Sequence, residues 1–232
     1  MNAARTEMWA AIAPVHGAIL DHPFVRGMTS GGLPEEAFAR YIVQDALYLA
    51  DYARALALCG ARAADTPTLR MFCAHAGEAV EAERALQDGL LTELGVGAQE
   101  LAAARPTPTT RAYGDFLIRA CSAGERHEAL GAIVPCYWIY AEVGRHLVAA
   151  GSPDGRYQRW IDLYGGDEFV EAAEGAIAAG TAVMADLGPG ARRACLSHAH
   201  QAAVYEWMFW DAAWRDEGWP EGLEPLPLPG GP

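Results

Sequence analysis

No stretch of the chain is rich in lysine or arginine: 17 basic residues stand against 30 acidic ones, for a formal charge of −13. Phosphate contacts need clustered cations, so nucleic acid is excluded as an expected partner, and an anionic membrane surface with it. No long apolar run is present either. The longest uncharged one, Ala129 to Ala141, is closed by Glu128 and Glu142 and falls short of the ~20 residues that span a bilayer. Cysteine is sparse and unpaired in pattern. Cys59, Cys73, Cys121, Cys136 and Cys195 form no CxxC, which argues against a disulfide framework or zinc ribbon and for a reducing compartment. Met1 to Arg5 leads into Thr6-Glu7 rather than an apolar signal core, so a cytoplasmic protein is expected.

What is present is helical periodicity almost throughout, without a run of alternating residues. Apolar residues make up 52% and charged ones 20% of 232, enough for a sizeable core. Helix starts are expected at Pro34 before Glu35-Glu36, at Thr66-Pro67, at Thr107-Pro108, at Glu125, at Asp154, at Asp167 and at Pro189. Gly95, Gly124, Gly151 and Gly165-Gly166 mark ends. The spacing predicts one unbroken helix from Thr66 to about Leu94 and a last one reaching roughly Asp216. Long helices joined by short turns give an all-α, single-domain bundle over residues 1–219. Residues 220–232, rich in proline and glycine, are expected to be an extended tail.

Three features carry possible chemistry. Cys136 lies within Ile133-Val134-Pro135-Cys136-Tyr137-Trp138-Ile139-Tyr140, and four residues on, Tyr140 shares its helix face. Asp45 and Tyr48 share another face. Glu206 sits among Tyr205, Trp207, Phe209 and Trp210. A carboxylate buried there is costly unless paired or protonated, and such raised carboxyls serve acid–base chemistry. Against this stands plain packing, since an isolated cysteine in an apolar helix usually behaves as a small hydrophobe. A metal site has little support: no histidine follows a glutamate by three residues, and His75 with Glu78 is the one tolerable pair. Haem ligation through His16 is a further alternative.

The ordered motifs resemble the TenA/thiaminase II family, in its cysteine-containing class. They are His22-Pro23-Phe24-Val25, Gln44-Asp45 with Tyr48, Pro135-Cys136-Tyr137-Trp138 through Gly144, and Tyr157-Gln158-Arg159-Trp160-Ile161. Tyr164-Gly165-Gly166-Asp167, Tyr205-Glu206 with Phe209-Trp210, and Glu217-Gly218-Trp219 complete the set. The resemblance implies a haem-oxygenase-like fold without haem, a homotetramer, and hydrolysis of a C–N bond at the methylene of an aminopyrimidine, turning an aminomethylpyrimidine into hydroxymethylpyrimidine in thiamin salvage, with thiamin itself cleaved by some members. It implies no metal or organic cofactor, and a small-molecule pyrimidine as substrate. It makes Cys136 the nucleophile, Glu206 the acid–base group, and Asp45 the residue orienting the thiol and the ring's amino edge. Tyr164 would hydrogen-bond Glu206, while Tyr48, Tyr113, Tyr140 and Phe24 would join in holding the ring. Leu47, Ala141 and Glu168 stand where relatives often carry aromatics. A non-catalytic pyrimidine-binding regulator or scaffold on the same fold is the alternative.

Overall fold

Proline and polar caps start the helices close to the expected places. The computed structural model describes residues 3–225, with only the backbone for 82–88, and the described residues form helices without a strand. They are α1 (Ala3–Leu20), α2 (Pro23–Ser30), α3 (Glu35–Ala61), α4 (Thr66–Asp88), α5 (Leu90–Glu93) and α6 (Ala98–Ala103). Then follow α7 (Pro108–Ala123), α8 (Arg126–Val148), α9 (Gly155–Gly165), α10 (Asp167–Ala185) and α11 (Pro189–Trp214). Thr107 caps α7 by accepting from the Thr110 amide, and Asp154 caps α9 by accepting from the Arg156 amide. Glu125 and Glu128 close a capping box on α8.

Three boundaries differ from expectation. The helix predicted to reach Leu94 breaks at Gly89, whose backbone (φ −110°, ψ −80°) leaves the helical region. Glycine gains least from helix formation, and this one lets α5 turn away from the α4 axis. The short α6 has no side-chain cap and no buried residue, so it gave no apolar period to read. At α10 the cap position is Gly166, and Asp167 becomes the first helical residue, where its carboxylate still favours the positive helix end.

Helix α8 is the centre of the fold. Every residue from Ala129 to Ala141 is buried, as expected of a helix that is apolar all round. It packs against α7, α9, α10 and α11, while α3 lies against α4 and α7. Two glycines let the neighbours come close. A Cβ on Gly131 would stand 2.4 Å from the Cys195 carbonyl oxygen, and one on Gly144 would stand 2.5 Å from the Tyr164 carbonyl. These contacts press α11 and α9 onto opposite ends of α8, and so fix where Glu206 and Tyr164 sit relative to Cys136.

Of the expected tail, residues 226–232 lie outside the described residues. Before them, Leu223 is exposed and Arg105 donates to the Pro225 carbonyl at 2.7 Å. No described helix is long and apolar enough to cross a membrane.

Candidate active site

Three turns of α3 present Asp45, Tyr48 and Tyr52 to the interior at spacings of three and four, which keep them on one helix face. Opposite them, α8 presents Cys136, Tyr137 and Tyr140. Trp160 and Tyr164 from α9 and Phe169 from α10 complete an aromatic wall. Together they line a cavity of about 530 Å³. The rings interlock: Tyr140 meets Tyr164 with centroids 4.7 Å apart, Trp160 meets Tyr164 at 4.4 Å, and Tyr164 meets Phe169 edge-on at 4.9 Å.

Cys136 is 9% exposed. Burial first, and then the adjacent Glu206 carboxyl, push its thiol well above its ordinary range, while the Tyr48 and Tyr52 hydroxyls pull it down. Neither hydroxyl completes a hydrogen bond by geometry; both are buried without a partner, as is the Trp160 indole nitrogen. All three belong to residues that line the cavity, and the two hydroxyls lie against the Cys136 thiol. The resting thiol is protonated, and a thiol in that state would need a base to become nucleophilic.

A buried carboxyl lies against the thiol. Glu206, 1% exposed on α11, is raised by burial to about 7, against the opposing pull of the Tyr113 hydroxyl and the Cys136 thiol. Tyr113 Oη donates to Glu206 Oε1 at 2.5 Å. Asp45 is likewise raised by burial to about 7. Near neutral pH both carboxyls are divided between acid and base forms, the condition under which one group can give and take a proton.

The expected residues are mostly brought together. Asp45, Tyr48, Cys136, Tyr140 and Tyr164 line the cavity, with Glu206 and Tyr113 directly behind its wall, against Cys136 and Tyr48. Phe24 does not join them: it is fully buried against Tyr41 and Trp210. Nor does Tyr164 hydrogen-bond Glu206. Tyr113, stacked at 5.0 Å on Tyr48, already holds that carboxyl, and Tyr164 spends its ring on Tyr140, Trp160 and Phe169. The groups touching the thiol are Glu206, Tyr48 and Tyr52, not Asp45. Glu168 is exposed, but Phe169 one place on supplies an aromatic ring to the wall.

Of the other cavity residues, the sequence reading did not name Tyr52; it carried Tyr137 and Trp160 only within motifs, and His75 only as half of a weak metal pair. Tyr52 was findable, because it continues the Asp45–Tyr48 face by one turn. His75, whose Nδ1 lies 3.0 Å from the Tyr137 hydroxyl, comes from α4, and its spacing to Glu78 gave no sign of a place beside this cavity. Among the described residues no three His, Cys, Asp or Glu side chains gather as a metal site.

The chain is similar to several known proteins over most of its length. The chain is 34% identical over 198 residues to the aminopyrimidine aminohydrolase of Bacillus subtilis, covering 85% of this chain and 84% of that one. It is 39% identical over 212 residues to the thiamine biosynthesis multifunctional protein ThiED of Corynebacterium efficiens, covering 91% of this chain but only 28% of that longer protein. A TenA family transcription regulator from Silicibacter superposes with a TM-score of 0.84 at 28% identity, over 92% of this chain and 97% of that one. A domain with a heme oxygenase-like fold from Shewanella denitrificans superposes at 0.70, with 17% identity over 91% and 92%; the all-α fold is therefore of that type. Residues 9–216 match the family model described as TENA/THI-4/PQQC, and the chain belongs to that family.

Proposed function

We propose that this protein is an aminopyrimidine aminohydrolase of thiamin salvage, acting on an aminomethylpyrimidine in the cytoplasm. The observation that carries this reading is the buried triad of Cys136, Glu206 and Asp45 around an aromatic cavity, joined to the 34% identity with the Bacillus enzyme. Flat aromatic walls suit a planar heterocycle and keep bulk water from the reacting carbon.

In the proposed chemistry Cys136 is the nucleophile and Glu206 moves the proton. The Glu206 carboxylate takes the thiol proton as sulfur attacks, and, as the acid, protonates a ring nitrogen, which makes the neighbouring carbon electron-poor. The C–N bond at the methylene breaks with its electron pair going to nitrogen, and the amine leaves carrying a proton. Water then adds to the methylene, its proton returns through Glu206, and the thiolate is expelled. The net change is amine plus water to alcohol plus ammonia. Asp45 holds the amino edge of the ring, while Tyr48, Tyr140 and Tyr164 pack against it. Tyr113 keeps the Glu206 carboxyl in place through its hydrogen bond.

Incubation with 4-amino-5-aminomethyl-2-methylpyrimidine tests the reading. Stoichiometric release of ammonia and the hydroxymethyl product is expected. Binding without release would favour the regulator instead.

A further inference from the structure

Helix α7 runs antiparallel to α11, and its side chains meet that helix in opposite chain order. Phe116 stacks on His198 at 5.7 Å and leans on Tyr205 at 5.4 Å, while Tyr113 stacks on Tyr205 at 5.2 Å and bonds to Glu206. One turn before Tyr113, this ladder ends on a residue just past α11. The Thr109 amide and hydroxyl donate to the two oxygens of the Glu217 carboxylate, each at 2.9 Å. A carboxylate at the first turn of a helix takes up an otherwise unbonded amide and favours the positive helix end. With two donors it fixes direction as well as distance. The chain is bent to bring it there. Asp216 is the one described non-glycine residue with positive φ, at 56°, a left-handed turn that carries a steric cost. Arg40 holds this turn, reaching the Asp216 carboxylate at 3.3 Å and the Ala213 carbonyl at 3.0 Å. The Glu217 amide then closes α11 on the Ala212 carbonyl at 2.9 Å, and Trp219 Nε1 donates to the Pro106 carbonyl just ahead of α7. On the other side, Gln44 bonds the loop before α7 to α3, and Gly114 packs against Asp51. Helix α3 thus sets how close α7 comes, and Glu217 sets where it stands along α11.

We propose that Glu217 is a positioning residue for the proton transfer: by fixing the first turn of α7 to the end of α11, it keeps the Tyr113 hydroxyl on Glu206. This rests on the aminohydrolase reading, in which Glu206 is the acid–base group, and deepens it. Thr109 and Tyr113 are four apart on one helix face, so a rise on the order of 6 Å separates the clamp from the hydroxyl it sets. Over so short a lever, a shift of the first turn passes directly to Tyr113, and a hydrogen bond weakens steeply once misaligned. Asp45 and Tyr48 from α3, Cys136 and Tyr140 from α8, and Tyr164 from α9 face the same carboxyl. None of them is bonded to Thr109 or Glu217, so the clamp reaches Glu206 through Tyr113. Because Tyr113 donates to the charged form of Glu206, slackening the clamp moves that titration to higher pH. Loss of the Glu217 charge acting across space would move it lower.

The test follows the Glu206 carboxyl in the resting protein by carbon NMR on glutamate labelled at the side-chain carboxyl, its signal identified by its loss in Glu206→Gln. Hydrolysis of the aminomethylpyrimidine is measured beside it. In Glu217→Ala the titration should rise by about 0.5–1 pH unit, the scale of one hydrogen bond to a charged group. Its kcat at pH 7 should fall about three- to tenfold, with KM changed less. Thr109→Val leaves Glu217 charged and should move the titration the same way by about half as much. Glu217→Gln, whose amide can accept from the Thr109 amide and donate to its hydroxyl, should restore most of the wild-type behaviour. In the Tyr113→Phe background, Glu217→Ala should add no further rise. If Glu217→Ala does not fold, Thr109→Val decides. An unmoved or lowered titration in either folded variant, or a rise of full size in the Tyr113→Phe background, overturns the proposal. The expected rise with no hydroxymethyl product from the wild-type protein overturns the hydrolytic reading and leaves the clamp standing.

Discussion

Replacing Glu206 with glutamine should make the protein more stable above neutral pH while disabling it. The carboxyl is 1% exposed, and burial raises its pKa from 4.5 to about 7. Its folded pKa is therefore above its unfolded one, so the favourable contribution is complete below about pH 4.5 and lost as pH rises through about 7. Above that, both states are ionised and the fold carries the full desolvation cost. A gap of about 2.5 pH units at 1.36 kcal/mol each gives roughly 3 kcal/mol. Glutamine removes the charge, and its side-chain oxygen still accepts the Tyr113 hydroxyl. At pH 5 most of the wild-type cost is absent, so the variant's advantage should grow by roughly 2–3 kcal/mol between pH 5 and pH 8. For a domain of this size that is a relative rise in Tm of roughly 5–10 °C. Thermal or urea unfolding of both proteins at the two pH values is the assay. A stability difference that is the same at pH 5 and pH 8, or one that turns against the variant at pH 8, would refute the buried-carboxyl reasoning.

Other outcomes follow from the same geometry. Tyr113→Phe removes a hydrogen bond that favours the Glu206 carboxylate, so the pH–rate limb governed by that group should move to higher pH, as read from kcat/KM profiles. Gly144→Ala places a methyl 2.5 Å from the Tyr164 carbonyl and should cost about 1–3 kcal/mol in unfolding measurements, as overpacking does. Asp45→Asn should parallel Glu206→Gln in pH-dependent stability, because burial raises that carboxyl too, and should weaken pyrimidine binding in calorimetry. Phe24→Leu, a change in the core away from the cavity, should alter stability more than KM.

Much of this site was legible in the chain because its parts lie on regular helices. The three-residue step from Asp45 to Tyr48 and the four-residue step from Cys136 to Tyr140 put each pair on one face whatever the tertiary packing. Their joining across α3 and α8 follows from both helices burying those faces. The partner of Glu206 was not legible in this way. Tyr113 and Tyr164 are both tyrosines on neighbouring helices, and only the crossing of α7 over α3, which stacks Tyr113 on Tyr48, decides between them. Phe24 misled because an aromatic beside a capping histidine carries no sign of which cavity it faces; α2 turns it onto Trp210. The reach of Leu90 and Glu93 to the cavity depends on a backbone break at Gly89 within an otherwise continuous helical pattern. A single glycine in such a pattern is as readily tolerated as it is disruptive.

The most direct measurement is intact-protein and peptide mass spectrometry on enzyme quenched during turnover of the aminomethylpyrimidine. A pyrimidinyl adduct on the peptide containing Cys136, absent from Cys136→Ser along with product formation, is the expected result. Turnover by Cys136→Ser at the wild-type rate would contradict a sulfur nucleophile in this cavity.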